Sequence, residues 1–574
     1  MGGQGSRVKP SVAERGGVGE SMNAADGILR VVPLGGLGEI GLNCLVLEWN
    51  GYAIAIDCGV MFPEPHMLGI DLVIPDLSYL EGFGERFLGF VLTHGHEDHQ
   101  GALPFALRKL SVPVYAPPMA HGLVVERLKE HGLSVPIHVF SAGDRWELGP
   151  FVIEAIHVTH SLVDTVALAI RTPLGVVLHS GDFKFDQTPI DDRPSNLHRL
   201  AEYGEEGVLL LLSDSTNAER PGYTPSERSV RAPLEEIFRA TSGRVFFSTF
   251  ASHIHRLTQA IELSLAHQRR IAVVGRSLLN SLRIATQLGY LEYPPSLFLD
   301  LSDREALTGE RVTVLTTGSQ GEPMSALIRI AEGGHPSMRM GPGDAVVLSS
   351  RVIPGNEKQI SNLINHVLRR GAEVFHSQNT PVHVSGHGSQ EELKLLLRLA
   401  KPRFFVPIHG ELRHLIAHRR LAWEVGLRPE QTFLLENGRV LEIDGTGARE
   451  RDAVKAGRVF VDGKGVGDVV DVVLRDRRHL SSDGLVLAVL ALDQQTGNVI
   501  AGPDLVSRGF LPGVGAEALM EQARQLVLET LAEMPAETRT DAQEVKEEVR
   551  RVLRRFFARA LDRRPVIVPF ILEM

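Results

Sequence analysis

At 574 residues the chain is too long for a single core, and about two to four domains are expected. With 43% hydrophobic and 23% charged residues it has an ordinary globular composition, and its longest apolar runs, such as Val208 to Leu212, are far too short to span a membrane. A net charge of −10 excludes the bulk basicity that marks many nucleic-acid binders, but it leaves room for a locally basic groove or for positive charge supplied by metal ions.

Residues 1–27 are rich in Gly, Ser and Glu without periodicity and read as a disordered tail, with no charged-then-apolar leader, so a cytoplasmic location is expected. From Ile28 onward short apolar strands alternate with glycine turns: Leu45 to Trp49, Tyr52 to Asp57, Phe87 to Thr93, Phe151 to His157, Val166 to Arg171 and Val176 to His179. This texture predicts a sheet sandwich with peripheral helices over 28–224. Gly36 to Gly41 fits the G-x-G-x-x-G string, but a strand follows it rather than a helix, so it reads as a hairpin loop near the site and not as a dinucleotide fingerprint. The only cysteines, Cys44 and Cys58, lie in strand-like segments and read as core thiols, so any metal must be held by carboxylates and by some of the 23 histidines.

Near Pro225 the pattern changes to alternating helices and strands, from Ser226 to Ala240 (helix) and Arg244 to Phe250 (strand) through to Ala372 to His376, which predicts a parallel α/β domain over 225–378. Residues 379–448 should return to the first domain, 449–467 read as a charged linker, and 468–574 as a small α/β module. The helix of that module from Asp541 to Leu561 lines up Val545, Val549, Val552, Phe556 and Ala560 on one face, with arginines opposite.

The segment Thr93-His94-Gly95-His96-Glu97-Asp98-His99 follows the strand from Phe87 and crowds imidazoles and carboxylates into one strand-to-helix turn. A loop of that kind aims nitrogen and oxygen donors at neighbouring points and suits zinc or manganese. Further candidates close distant strands: His160 in Val158-Thr159-His160-Ser161, Asp182 in Ser180-Gly181-Asp182, and His409 in Pro407-Ile408-His409-Gly410. His383-Val384-Ser385-Gly386-His387-Gly388-Ser389 precedes a helix from Gln390 to Leu399 with a capping-box spacing between Ser389 and Glu392. Such a loop offers N–H groups and a helix dipole to phosphate, and His387 is placed to donate to a scissile phosphate or protonate a leaving oxygen.

In this order these motifs resemble the metallo-β-lactamase superfamily and, within it, the β-CASP nucleases. That resemblance implies an αββα sandwich carrying an inserted Rossmann-like α/β domain and a small C-terminal α/β domain. It implies that His94, His96 and His160 hold one divalent ion and Asp98, His99 and His409 a second, with Asp182 bridging. Zinc or manganese would serve, with magnesium a further candidate. Asp98, Asp182 and His387 would be catalytic, and Asp214, in Ser213-Asp214-Ser215-Thr216, a supporting residue. Two such ions lower the pKa of a bridging water and clamp an in-line displacement.

The strings Pro33 to Gly41, Gly181 to Asp186, Thr317 to Pro323, Ile353 to Glu357 and Arg563 to Pro569 are similar to the ribonuclease J family. Membership would imply 5′-to-3′ exonuclease and endonuclease action on single-stranded RNA, in messenger and ribosomal RNA maturation and decay, and a homodimer or homotetramer joined by the C-terminal module. It would also draw a 5′-monophosphate pocket from Ser252, His253 and the loop His383 to Ser389. A small-molecule hydrolase of the same fold would leave the inserted domain and the Asp214 and His387 motifs unexplained. A β-CASP enzyme acting on DNA is separated from an RNase by the resemblance alone, because a 2′-hydroxyl contact cannot be read from residue types. A non-catalytic scaffold with structural metals sits poorly with a full ligand set beside a candidate acid.

Overall fold

The computed structural model describes residues 27–574 apart from 304–306, 308, 323, 354, 464, 470 and 512–515. The tail expected over 1–27 lies outside the described residues except for Gly27, as do Pro323 and Pro354 of the quoted strings. The chain divides into two compact units, one running up to Phe62 and from Leu72 to Val459, the other made of Pro63–Asp71 and Phe460–Met574.

In the first unit an eight-stranded sheet runs in the order Ala448–Arg451, Val440–Ile443, Leu29–Gly35, Cys44–Trp49, Tyr52–Ile56, Phe87–Val91, Val114–Ala116, Ile137–Val139. A six-stranded sheet runs Phe404–Ile408, Val208–Asp214, Gly175–His179, Val166–Thr172, Phe151–His157, Arg145–Leu148. The two face each other across one core, in which Leu29, Val31, Leu47 and Ile54 meet Phe151, Ile153, Leu168 and Ile170. The alternate residues Ala167, Ala169 and Leu178 turn the other way, against the helices Leu197–Glu206 and Gln390–Ala400, together with Leu200, Leu393 and Leu397. Covering both faces requires the near-continuous apolar strands seen in the sequence, and each buried Leu or Ile contributes about 1.5–3 kcal/mol.

The chain leaves the six-stranded sheet at Asp214 and re-enters it beside the same strand at Phe404, in parallel register Leu210 to Phe404 and Asp214 to Ile408. Between these points lies a five-stranded parallel sheet ordered Arg270–Val274, Val312–Thr316, Val245–Ser248, Ala345–Leu348, Glu373–His376. Helices Arg231–Ala240, Ile254–Ala266 and Arg276–Gln287 cover one face and Ala326–Glu332 and Glu357–Arg369 the other. The segments Ser252-His253 and Ser349-Arg351 leave the C-terminal ends of two neighbouring strands, the edge at which open parallel sheets bind ligands.

Residues 449–467 carry regular structure at Ala448–Arg451 and Arg458–Asp462. In the second unit the strands Val499–Arg508, Leu485–Leu492 and Val566–Glu573 form a sheet, with helices Ala516–Glu533 and Ala542–Leu561 packed in its core. Asp541 caps the second helix by accepting from the Gln543 and Glu544 amides. Its buried stripe is Val545, Val549, Leu553 and Phe557, while Val552 and Phe556 are partly buried. The apolar pairs at 552–553 and 556–557 straddle the stripe, and packing selects the i, i+4 member of each. Among the described residues no helix is long and apolar enough to cross a membrane.

Candidate metal centre and active site

All groups of the site but His387, which lies on the loop before the helix Gln390–Ala400, sit just beyond or at the end of a strand of the sandwich. His94 to His99 follow the strand Phe87–Val91, Asp182 follows Gly175–His179, Asp214 closes Val208–Asp214 and His409 follows Phe404–Ile408. Their donor atoms converge in three overlapping groups, each within 4.8 Å: His94, His96, His160, Asp182; Asp98, His99, His409; and Asp182, Asp214, His387, His409. Asp182 is the hub. Its Oδ2 lies 3.2 Å from His99 Nε2, 3.6 Å from His409 Nε2, 3.7 Å from His94 Nε2 and 3.8 Å from His160 Nε2.

The hydrogen bonds around the site settle which ring nitrogens carry protons. Thr93 Oγ1 donates to Asp57 Oδ2 at 2.8 Å, so at 3.0 Å it accepts from His94 Nδ1. His160 Nδ1 donates to the Gly386 carbonyl at 2.8 Å. Both Nε2 atoms are therefore bare lone pairs, and both face His96 Nδ1, at 3.0 and 3.2 Å. One proton on His96 cannot satisfy both, whereas a cation satisfies all of them. His409 Nε2 is buried and makes no hydrogen bond, with Asp98 Oδ2 at 3.5 Å. The residues present fit divalent cations.

Charge follows the same division. Burial pushes the pKa of His94 and His160 well below the ordinary histidine value and that of His96 down to about 4, which keeps these imidazoles neutral and able to ligate. Burial alone would raise the Asp182 carboxyl, but His409 and His99 outweigh it and hold it well below the usual carboxylate range. Asp98 is likewise held low against burial by His99 and His409, and Asp214 by His387.

The outer contacts include residues that the sequence reading passed over. Asp57, fully buried, accepts from the Thr93 amide and hydroxyl and from His99 Nδ1, each at 2.8 Å, and so orients candidate ligands in both donor groups. Its φ of +62° and the +55° of His409 place two non-glycine residues in the left-handed region at this site. Asp57 ends an apolar strand as Asp182 and Asp214 do, and that shared position was the available signal. Gly386 is required by close approach: a Cβ there would lie 2.7 Å from His160 Cε1.

His387 is set by Asp214, whose Oδ2 accepts from Nδ1 at 2.8 Å, and its ring stacks on His409 with centroids 5.4 Å apart. Its carbonyl accepts from Asn217 Nδ2 at 2.8 Å and Thr224 Oγ1 at 2.7 Å. The fully buried Glu392 accepts from the amides of Phe185, Thr224 and Ser389 at 2.7–2.8 Å, clamping the loop from beneath. Two hydroxyls of this loop turn inward: Ser385 Oγ accepts from Asn217, and Ser389 Oγ lies 2.9 Å from Thr224 Oγ1. Val384 and Gly388 are buried within it.

His253 precedes the helix Ile254–Ala266 and is buried, neither ring nitrogen has a hydrogen-bond partner, and Glu227 Oε2 is 3.9 Å from its Nε2. Ser252 beside it is half-buried, and His383 Nδ1 is also buried without a partner. His157 and His179 stay outside the centre, bonded to the Arg193 carbonyl and the Gly181 amide. The loop at Gly36 to Gly41 does adjoin the site, its Leu37–Gly38 pairing in parallel with Gly410–Glu411 directly after His409.

A sandwich whose strand ends carry this His/Asp centre, interrupted by a parallel sheet between two of its neighbouring strands, defines a metallo-β-lactamase-fold hydrolase of the β-CASP type. The family models agree: "Metallo-beta-lactamase superfamily" matches residues 37–247, "Ribonuclease J, beta-CASP domain" 242–367, "Zn-dependent metallo-hydrolase RNA specificity domain" 377–430 and "Ribonuclease J C-terminal domain" 472–574. The chain is 42% identical to ribonuclease J 1 of Streptococcus pyogenes, covering 94% of this chain and 97% of the relative. It is 41% identical to ribonuclease J of Thermus thermophilus, over 95% of each, and 39% identical to ribonuclease J2 of Bacillus subtilis, over 95% and 99%. It belongs to the ribonuclease J family. Among solved structures, a protein of unknown function from Enterococcus faecalis shares the fold, with a TM-score of 0.51 and 14% identity over 72% of this chain and 99% of that one.

Proposed function

We propose that the protein is a metal-dependent ribonuclease that digests single-stranded RNA from the 5′ end, prefers a 5′-monophosphate, also cuts internally, and serves messenger and ribosomal RNA maturation and decay in the cytoplasm. The observation that carries this reading is the convergence on Asp182 of four imidazole Nε2 atoms, with His387 alongside. His94, His96 and His160 would hold one zinc or manganese ion and Asp98, His99 and His409 another, with Asp182 shared. Bound there, such ions lower the pKa of a water and screen charge developing on the scissile phosphate.

The chain's own groups do the rest. With Nδ1 committed to Asp214, His387 exchanges protons with the scissile group through Nε2, as a general acid for the leaving oxygen. The partnerless nitrogens of His253 and His383, with His253 at a helix start, support a 5′-phosphate pocket built from short, defined anion contacts. The test is decay of end-labelled single-stranded RNA with a 5′-monophosphate or a 5′-triphosphate, and of matched DNA, with and without Mn²⁺ or Zn²⁺. Monophosphorylated RNA should decay fastest and only with metal. Equal decay of both RNAs overturns the pocket, and preference for DNA overturns the substrate.

A second copy of the chain is the partner we assign to the C-terminal sheet, whose strand Val566–Glu573 exposes Val568, Phe570 and Leu572 at 41%, 53% and 44%. Light scattering should find a dimer or tetramer that Phe570→Asp converts to monomer, and a monomeric wild type overturns the assignment.

A further inference from the structure

Next to the His387 loop, the turn Asn217 to Thr224, which carries Arg220 and Tyr223, is tied to Arg351 from the segment after the strand Ala345–Leu348, and the mechanism above uses none of these three side chains. Arg351 donates to Asn217 Oδ1 at 2.9 Å, the same Asn217 whose Nδ2 holds the His387 carbonyl. Its backbone is fixed by Gln320, whose Nε2 donates to the Arg351 carbonyl at 2.7 Å and whose Oε1 accepts from Ile353 N at 2.9 Å. This gives two of the unassigned sequence strings, around Thr317 to Glu322 and Ile353, a common purpose.

Arg220 closes the Asn217 turn, its amide donating to the Asn217 carbonyl at 2.8 Å. Among the described residues neither Arg220 nor Arg351 has a carboxylate partner, and the pKa of Arg351 is pushed down to about 10 by burial and then by the neighbouring Arg220 and Arg413. Arg413 differs, because Glu411 and Glu219 neutralise it. Two like charges held near each other without a counter-ion favour an anion.

Tyr223 follows in the same turn and is 65% exposed. Its backbone is not loose: Gly222 O accepts from Glu391 N at 3.1 Å, Arg220 O accepts from Gln390 N at 2.9 Å, and Thr224 N donates to the buried Glu392 at 2.7 Å. An aromatic ring bared to solvent on a pinned backbone, beside unpaired arginines, is the composition of a single-strand nucleic-acid contact, in which cations meet phosphate and a ring stacks on a base.

We propose that Arg220, Arg351 and Tyr223 form an RNA subsite flanking the metal centre, the two guanidiniums binding one backbone phosphate and the Tyr223 ring stacking on a base next to it. This rests on the ribonuclease reading, and the test separates the two. Binding of the full-length, metal-loaded protein to a short phosphorothioate-linked, fluorescein-labelled single-stranded RNA is followed by anisotropy across a salt series. Tyr223→Ala should weaken binding roughly tenfold while Tyr223→Phe stays near wild type, since a ring without the hydroxyl still stacks. Arg220→Ala should weaken binding and lower the slope of log Kd against log salt by roughly 0.7, the share of one phosphate contact on a single strand. An abasic residue walked along the RNA should weaken wild type at one position, and Tyr223→Ala should be indifferent there. Wild-type affinity in Tyr223→Ala, or an unchanged salt slope in Arg220→Ala, overturns the subsite while leaving the ribonuclease intact. A wild type that binds no RNA overturns both.

Discussion

Asp182→Asn leaves the fold in place and removes RNA hydrolysis. The substitution keeps the size of the side chain but deletes the carboxylate charge that, among the described residues, lies within 3.2–3.8 Å of all four of His94, His99, His160 and His409. Asp182 is buried at the meeting point of both ligand groups, so no other carboxylate can take over for both. Stabilisation of transition-state charge by such a centre is worth several kcal/mol, and losing roughly 5 kcal/mol slows turnover roughly 10⁴-fold. Metal content by mass spectrometry gives a readout independent of activity and should fall below that of the wild type, while circular dichroism stays unchanged. Near-normal turnover in the metal-saturated variant would overturn the paired-ion assignment.

His387→Ala is expected to act on chemistry far more than on binding. The ring is pinned by Asp214 and stacked on His409, yet its side chain keeps 19% exposure, so it reaches substrate as Asp214 cannot. A general acid typically contributes 10²–10⁴-fold, so kcat should drop by roughly 10³-fold while RNA affinity changes less than about threefold. An RNA whose scissile bond carries a better leaving group should recover part of the loss, because it needs less protonation. Asp214→Asn should reproduce a portion of the kcat effect through the freed ring. A rise in KM with kcat intact would make His387 a positioning residue.

The strings that the structure gathers into clusters able to hold metal were legible in the sequence because their chemistry is local and restrictive. Few residue types can ligate a divalent ion, and His94 to His99 must be supplied by one turn at the end of one strand. The sandwich strands were legible for a similar reason: strands covered on both faces leave long apolar runs between turn residues. The supporting residues carry no such mark. Asp57 matters because His99, 42 residues later, folds onto it, and Glu392 because the Phe185 and Thr224 amides arrive from 207 and 168 residues away. Ser385 and Ser389 look like phosphate donors in a Ser/Gly/His loop, but only packing against Asn217 and Thr224 decides that both hydroxyls point inward. Arg351 likewise reads as one basic residue among many until the fold sets it against Asn217, 134 residues before it. By itself the sequence determined the layers and which segments carry residues able to ligate a metal, because both depend on residue type and short-range period. Tertiary structure alone decided which polar groups are orphaned, which are satisfied and which charges stand unpaired, because hydrogen bonds and desolvation depend on neighbours that sequence distance does not reveal.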